Sequence, residues 1–195
     1  AENAKRIAQL SAHLVPLSPG DPVTLYLKRR GFGGVWPLPE CLRLHRALPY
    51  WDGGDKLGTF AAMVAPIVSP EGDTVALHRT YLAQDGRKAN VPSVRKVTGA
   101  AGPLAGACIP LQKPVRGCIG IAEGIETALA AWCASTVPTV AAYSAGNLAA
   151  WNWPRGVQRL VIFADADTAG REAADKLRAR ALGGNLQCEV LTPST

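Results

Sequence analysis

Leu160-Val161-Ile162-Phe163-Ala164-Asp165-Ala166-Asp167-Thr168-Ala169-Gly170 decides the fold. Its apolar start reads as a strand over 159–164, buried on both faces. Two aspartates then lead into a helix expected over 169–182. Ala173, Ala174, Leu177, Ala181 and Leu182 make its packing face, and Gly183-Gly184 ends it. A last strand is expected over 186–191. Upstream the same rhythm recurs, beginning with a buried strand over 118–122. In the helix that follows, Ile125, Ala128, Leu129, Trp132 and Cys133 fall at i, i+3, i+4, i+7 and i+8. A strand over 139–143 and a short helix over 145–151 complete the series. Such alternation builds a parallel sheet with helices on its faces, an α/β, Rossmann-like architecture.

Ahead of this region the texture changes. Residues 1–14 read as a helix with Ile7, Leu10 and Leu14 on one face. A second, short helix has Asp21 as N-cap, Pro22 in its first position and Gly31 as its stop. From Gly31 to Gly117 short strands alternate with turns. An apolar run over 61–68 closes on Ser69-Pro70-Glu71-Gly72, a strand follows over 74–82, and Gln84-Asp85-Gly86 makes the next turn. This pattern describes an antiparallel meander in a smaller α+β subdomain, followed by a loop over 99–106. The expected division is therefore residues 1–116 and residues 117–195.

The 195 residues are 48% hydrophobic and 18% charged, a composition that excludes a disordered chain. No apolar run nears the roughly 20 residues that a membrane-spanning helix needs. The start, Ala1-Glu2-Asn3-Ala4-Lys5-Arg6, has neither an initiator Met nor an apolar signal core, as in a segment of a longer protein. Cysteines 41, 108, 118, 133 and 188 form no Cys-x-x-Cys pair, which disfavours a disulfide framework or a zinc ribbon. Cys118, Cys133 and Cys188 lie in apolar stretches, so buried reduced thiols and a cytoplasmic setting are expected. The net charge of +6 favours a polyanionic partner. Nearly all of the excess sits between Ala76 and Gly117, where Arg79, Arg87, Lys88, Arg95, Lys96, Lys113 and Arg116 face the lone acid Asp85. A solvated face is the plainer reading of the same charges.

Ligands of open parallel sheets bind outside the carboxyl ends of the strands. Two strands here end in acid, one at Glu123-Gly124 and one at Asp165-Ala166-Asp167. Asp165 and Asp167, at i and i+2, leave an extended chain on the same side. Clustered carboxylates repel by roughly 1–4 kcal/mol per pair at about 4 Å. A hard cation such as Mg²⁺, which takes oxygen ligands and keeps several waters, offsets that repulsion. Gly124 and Gly170, without a β-carbon, let backbone and a phosphate approach closely. A single Asp after a strand is equally the usual helix N-cap. Glu126 reads as helix-start charge or as an outer partner of the metal.

Together, Ile121-Ala122-Glu123-Gly124 and Phe163-Ala164-Asp165-Ala166-Asp167-Thr168-Ala169-Gly170 resemble the Toprim domain. That domain is shared by bacterial primases, type IA and II topoisomerases and some nucleases. Glu123-Gly124-Ile125-Glu126-Thr127-Ala128-Leu129-Ala130 and Ser144-Ala145-Gly146-Asn147-Leu148 resemble more closely the primase-helicase proteins of plasmids, phages and integrative elements. Tyr26-Leu27-Lys28-Arg29-Arg30-Gly31 is similar to the helix end that precedes primase cores. Residues 67–81 with Gly86-Arg87-Lys88-Ala89 resemble the basic subdomain ahead of Toprim in replicative primases.

The resemblance implies a bacterial DNA primase that joins ribonucleoside triphosphates on a single-stranded DNA template with Mg²⁺ or Mn²⁺. It implies Asp165 and Asp167 as metal ligands and Glu123 as general acid or base that also touches metal. Arg79, Arg87, Lys88, Arg95 and Lys96 would hold template, with Gly124 and Gly170 beside the nucleotide phosphates. A replicative helicase domain or protein is an implied partner, and a membrane is not. Trp51 and Tyr81 can stack on bases, although packing is the plainer role for each. A Toprim nuclease and a non-catalytic nucleic-acid-binding module are the alternatives. A haloacid-dehalogenase-like phosphatase fits less well, because Ala169 breaks its motif and few residues follow Asp167. The chain departs from its relatives in stopping soon after the last strand. It also lacks a Cys/His zinc cluster and a phosphate loop of the helicase kind.

Overall fold

The structure, a computed structural model, describes residues 1–35 and 37–192. Trp36 of the expected first domain and residues 193–195 of the second lie outside the described residues. The chain divides into two compact units, Ala1–Pro66 with Val75–Ala101, and Ile67–Thr74 with Gly102–Thr195.

In the first unit, α1 (Glu2–Ser11) buries Ile7. The helix expected over 1–14 ends at Ser11, because Leu14 and Val15 form a short strand, β1, paired antiparallel with Leu44 and His45. Leu14 still reaches the core that its helical spacing suggested, but in extended chain. The second helix, α2 (Pro22–Leu27), follows the sequence reading closely. Asp21 Oδ1 accepts from Thr24 N at 2.8 Å and Oδ2 from Ser18 N at 2.7 Å, and Pro22 opens the first turn. A wider π-helical turn over Lys28–Phe32 then unwinds at Gly31, whose φ of 97° a side chain would resist.

Four further strands complete an antiparallel sheet in the order β1-β2-β3-β4-β5, with β2 Arg43–Asp52, β3 Asp55–Val68, β4 Thr74–Leu82 and β5 Arg95–Val97. Gly53 and Gly54, both at positive φ, close the β2–β3 hairpin. The apolar run expected over 61–68 is thus the second half of a 14-residue strand. Tyr50, Phe60 and Tyr81 meet edge to face, with the Tyr50 and Tyr81 centroids 4.9 Å apart. Ala62, Val64 and Leu77 pack around this aromatic centre. Tyr81 is therefore a core residue.

The second unit is the expected α/β layer. A four-stranded parallel sheet runs in the order β7-β6-β8-β9, with β6 Cys118–Ala122, β7 Thr139–Ala141, β8 Arg159–Phe163 and β9 Gln187–Leu191. Helices α3 (Ile125–Ser135), α4 (Ala145–Ala150) and α5 (Thr168–Gly183) cover it. Ile119, Ile121, Leu160 and Ile162 point to the face where Leu148 and Leu177 close the core, and α3 packs on β6 and β7. The strand order reverses between β6 and β8: the chain leaves β6 toward β7 on one side and β8 toward β9 on the other. Such a reversal opens a crevice at the carboxyl ends of the two central strands. No described helix is long and apolar enough to cross a membrane. All five cysteines are free, and Cys133, expected to be buried, is exposed on α3.

Candidate metal centre at the carboxyl edge

The parallel register of the central strands fixes where the acids fall. Ala122 lies opposite Phe163, so Glu123 leaves β6 level with Ala164, one step short of Asp165 on β8. Adjacent parallel strands stand about 4.8 Å apart. The crevice of the strand-order reversal is therefore walled by Glu123 on one side and by the Asp165–Asp167 segment on the other. Both Glu123 and Asp165 are half-buried, while Asp167 is exposed.

Two devices clamp the aspartate segment to α5. Asp167 is the N-cap, its Oδ1 accepting from Gly170 N at 2.7 Å. Gly170 is buried against the turn below: a β-carbon there would lie 2.9 Å from the Asp165 carbonyl oxygen and 3.1 Å from Asp165 Cβ. The missing side chain at Gly170 thus admits the backbone of Asp165. At Gly124 an added Cβ would meet only Glu126 Oε2 at 3.7 Å and Thr127 Oγ1 at 3.8 Å, so the space over the start of α3 is open. The N-cap of that helix is Gly124, which has no side chain with which to cap it.

One residue of this edge, Arg171, carried no signal in the sequence, whereas Ser144, Asn147 and Glu126 belong to the motifs quoted above. Arg171, in the first turn of α5, donates a hydrogen bond to the Ala166 carbonyl between the two aspartates. Asn147, buried at the start of α4, donates to the carbonyls of Ala107 and Ala142, fixing the loop after β7. Ser144 caps that helix by accepting from Asn147 N at 3.2 Å. Glu126, the acid of the first turn of α3, is only 8% exposed.

The donors at the crevice are all oxygens, which suits Mg²⁺ or Mn²⁺ rather than a thiolate-seeking ion. Asp167 keeps Oδ2 without a partner among the described residues while Oδ1 serves the cap. Among the described residues, however, no three His, Cys, Asp or Glu side chains are grouped to share one ion. The fit is thus to an ion held by one or two carboxylates with water completing its shell, the usual Mg²⁺ arrangement. One or two of Glu123, Asp165 and Asp167, rather than all three together, could hold it.

The basic candidates of the first unit separate into two sets. Arg79 donates to the Val97 carbonyl at 3.0 Å and to Tyr81 Oη at 3.3 Å, tying β4 to β5. Lys96 donates to Asp52 Oδ1 at 3.0 Å and to the Trp51 carbonyl, and lies 4.2 Å over the Tyr50 ring. These two cations hold the sheet together. Arg87, Lys88 and Arg95 are exposed, and Arg87 meets Asp85 at 3.3 Å in a surface pair of little energetic weight. Trp51 is 56% exposed at the hairpin end.

Comparison with known proteins finds two family matches along the chain. The profile of the family "Domain of unknown function (DUF7146)" matches residues 1–108, and that of "Toprim domain" matches residues 118–195. No curated protein matches the chain. Among solved structures it is similar to the primase fragment of the bacteriophage T7 primase-helicase protein, with a TM-score of 0.49 and 19% identity over 77% of this chain and 58% of that one. It is also similar to a DNA primase domain from Pseudomonas aeruginosa, with a TM-score of 0.46 and 16% identity over 75% of this chain and 48% of that one. The chain thus spans about half the length of these two structures. It belongs to the family defined by the N-terminal domain DUF7146, and it carries that domain ahead of a Toprim domain.

Proposed function

We propose that this protein is the catalytic core of a DNA primase, with residues 117–195 as its metal-dependent catalytic domain and residues 1–116 as its template-holding subdomain. The observation that carries the reading is the acid-walled crevice of the Toprim unit, where Glu123 and Asp165 flank the point at which strand order reverses. A divalent cation bound there would neutralise charge on phosphoryl oxygens. Asp165 and Asp167 would hold it, and their clamp to α5 keeps them in place before substrate arrives. Glu123, at the end of β6, would take the proton of the attacking 3′-hydroxyl. The amide groups at the start of α3 would orient the triphosphate above Gly124. Arg87, Lys88 and Arg95, exposed on the first unit, would hold the phosphates of single-stranded template. Arg79 and Lys96 would act by supporting the strands beneath them.

Primer synthesis from ribonucleoside triphosphates on single-stranded DNA, with Mg²⁺ and with Mn²⁺, tests the assignment beside a cleavage assay on the same DNA. Glu123→Gln and Asp165→Asn are expected to abolish joining while the circular dichroism spectrum is retained. Full joining by either variant refutes the role assigned to that carboxylate, and metal-dependent cleavage without joining makes the protein a nuclease. Reversing charge at Arg87 and Lys88 should weaken single-strand binding and flatten its salt dependence; an unchanged slope would leave them as a solvated face.

A further inference from the structure

The edge of the parallel sheet opposite the acids bears a second feature. Strands of five residues span about 16 Å, so their amino ends lie well away from the carboxyl crevice. An open cavity of about 1090 Å³ runs along these amino ends, and a second of about 580 Å³ adjoins it, the two sharing Gln112 and Lys113 as lining. A small-molecule pocket usually measures about 300–1,000 Å³. The larger cavity alone exceeds that, and the two meet at Gln112 and Lys113, an extent that suits a polymer.

The lining of the groove is lopsided in charge. Lys113, Arg116, Arg155 and Arg159 face it, against the single acid Glu71. Lys113, Arg116 and Arg155 are exposed and have no ion-pair partner among the described residues. Arg159 shares a surface pair with Glu189 at 3.1 Å, half-exposed on both sides. Like charges gathered along one concavity repel, and a polyanion relieves that repulsion. Two half-exposed indoles, Trp132 and Trp153, also line it, one in each cavity. The guanidinium of Arg180 lies 5.6 Å from the ring centre of Trp153 and steadies it. Cations interleaved with aromatic faces are what unpaired nucleotides require, phosphates meeting the charges and bases the rings. An acidic protein segment would use the charges and leave the indoles idle.

We infer that the amino edge of the Toprim sheet is a second binding groove for single-stranded nucleic acid, separate from the acidic crevice. The groove goes beyond the primase reading and does not depend on it, because binding at this edge requires neither metal nor the joining reaction. The test uses the whole chain with EDTA and no nucleotide, following the anisotropy of a labelled oligothymidylate across a salt series. Lys113→Gln with Arg116→Asn is the first variant, asparagine being chosen because Arg116 has a φ of 48°. Each lost single-strand phosphate contact removes about 0.7 from the slope of log affinity against log salt. The double variant should therefore lose about 1.4. Arg155→Gln, at an exposed position of the adjoining cavity, should lose about 0.7 and keeps the test valid if the first variant misfolds. Trp132→Ala should lower affinity several-fold with the slope unchanged. Unchanged slopes in both cation variants would overturn the inference. So would competition by polyglutamate as effective as by oligothymidylate, which would make the groove an acidic-protein site.

Discussion

Asp167 caps α5 and, in the function proposed above, also holds metal; substitutions can separate the two. Its Oδ1 accepts from Gly170 N at 2.7 Å and caps α5, while Oδ2 remains available at the crevice. Replacing an aspartate cap by alanine costs about 1 kcal/mol. Loss of the negative charge beside the helix N-terminus adds about 0.5 kcal/mol. For a chain of this length each kcal/mol moves the melting temperature by roughly 2–4 °C. Asp167→Ala should thus lower the calorimetric transition of the whole chain by about 3–6 °C. Asp167→Asn and Asp167→Ser keep a capping oxygen and should stay within about 2 °C of the parent. All three should lose metal-dependent joining, because none offers a carboxylate. Metal titration by calorimetry beside thermal melting gives both readouts from one preparation. A parental melting temperature for the alanine variant, or an asparagine variant as unstable as it, would refute the capping argument. Parental joining by the asparagine variant would refute the metal role.

Gly170→Ala should cost about 1–3 kcal/mol and impair joining more than its stability loss explains, since the new methyl must displace the Asp165 backbone now 2.9 Å away; urea unfolding with activity at low temperature checks both. Burial pushes the Cys108 thiol up to about 11, so at pH 8 a maleimide should label exposed Cys133 quickly and Cys108 only on unfolding. The sign for stability follows from the same shift: burying the neutral thiol contributes fully below the unfolded value near 9, and that contribution fades as pH rises through about 11. Fast labelling of Cys108 in the native protein at pH 8 would contradict this burial.

The acidic edge was legible because it depends on local pattern. Apolar runs ending in Glu123 and Asp165 set both strand ends, and parallel pairing aligned them without further information. Leu14 was misread because antiparallel pairing with His45 claims it, and no periodicity within residues 1–14 records that distant strand. The first half of the meander was obscured by irregularities between His45 and Leu48 and between Tyr50 and Trp51, which break the alternation of β2. The turn Asp52-Gly53-Gly54-Asp55 was the available signal for that hairpin. Charge counting could not distinguish Lys96, paired with Asp52 far away in sequence, from exposed Lys88. The grouping of Lys113, Arg116, Arg155 and Arg159 is likewise a product of topology, since the amino ends of separate strands bring them together.

Helix α5 has a mechanical consequence. Its 16 residues form a strut about 24 Å long. One end is fastened to the two aspartates through Asp167 and Gly170. At the other end Arg180 grips the carbonyls of Ala149 and Trp151 and the side chain of Asn152. The helix that caps on Asp167 is thus pinned again, about four turns on, to the end of α4 and the loop after it.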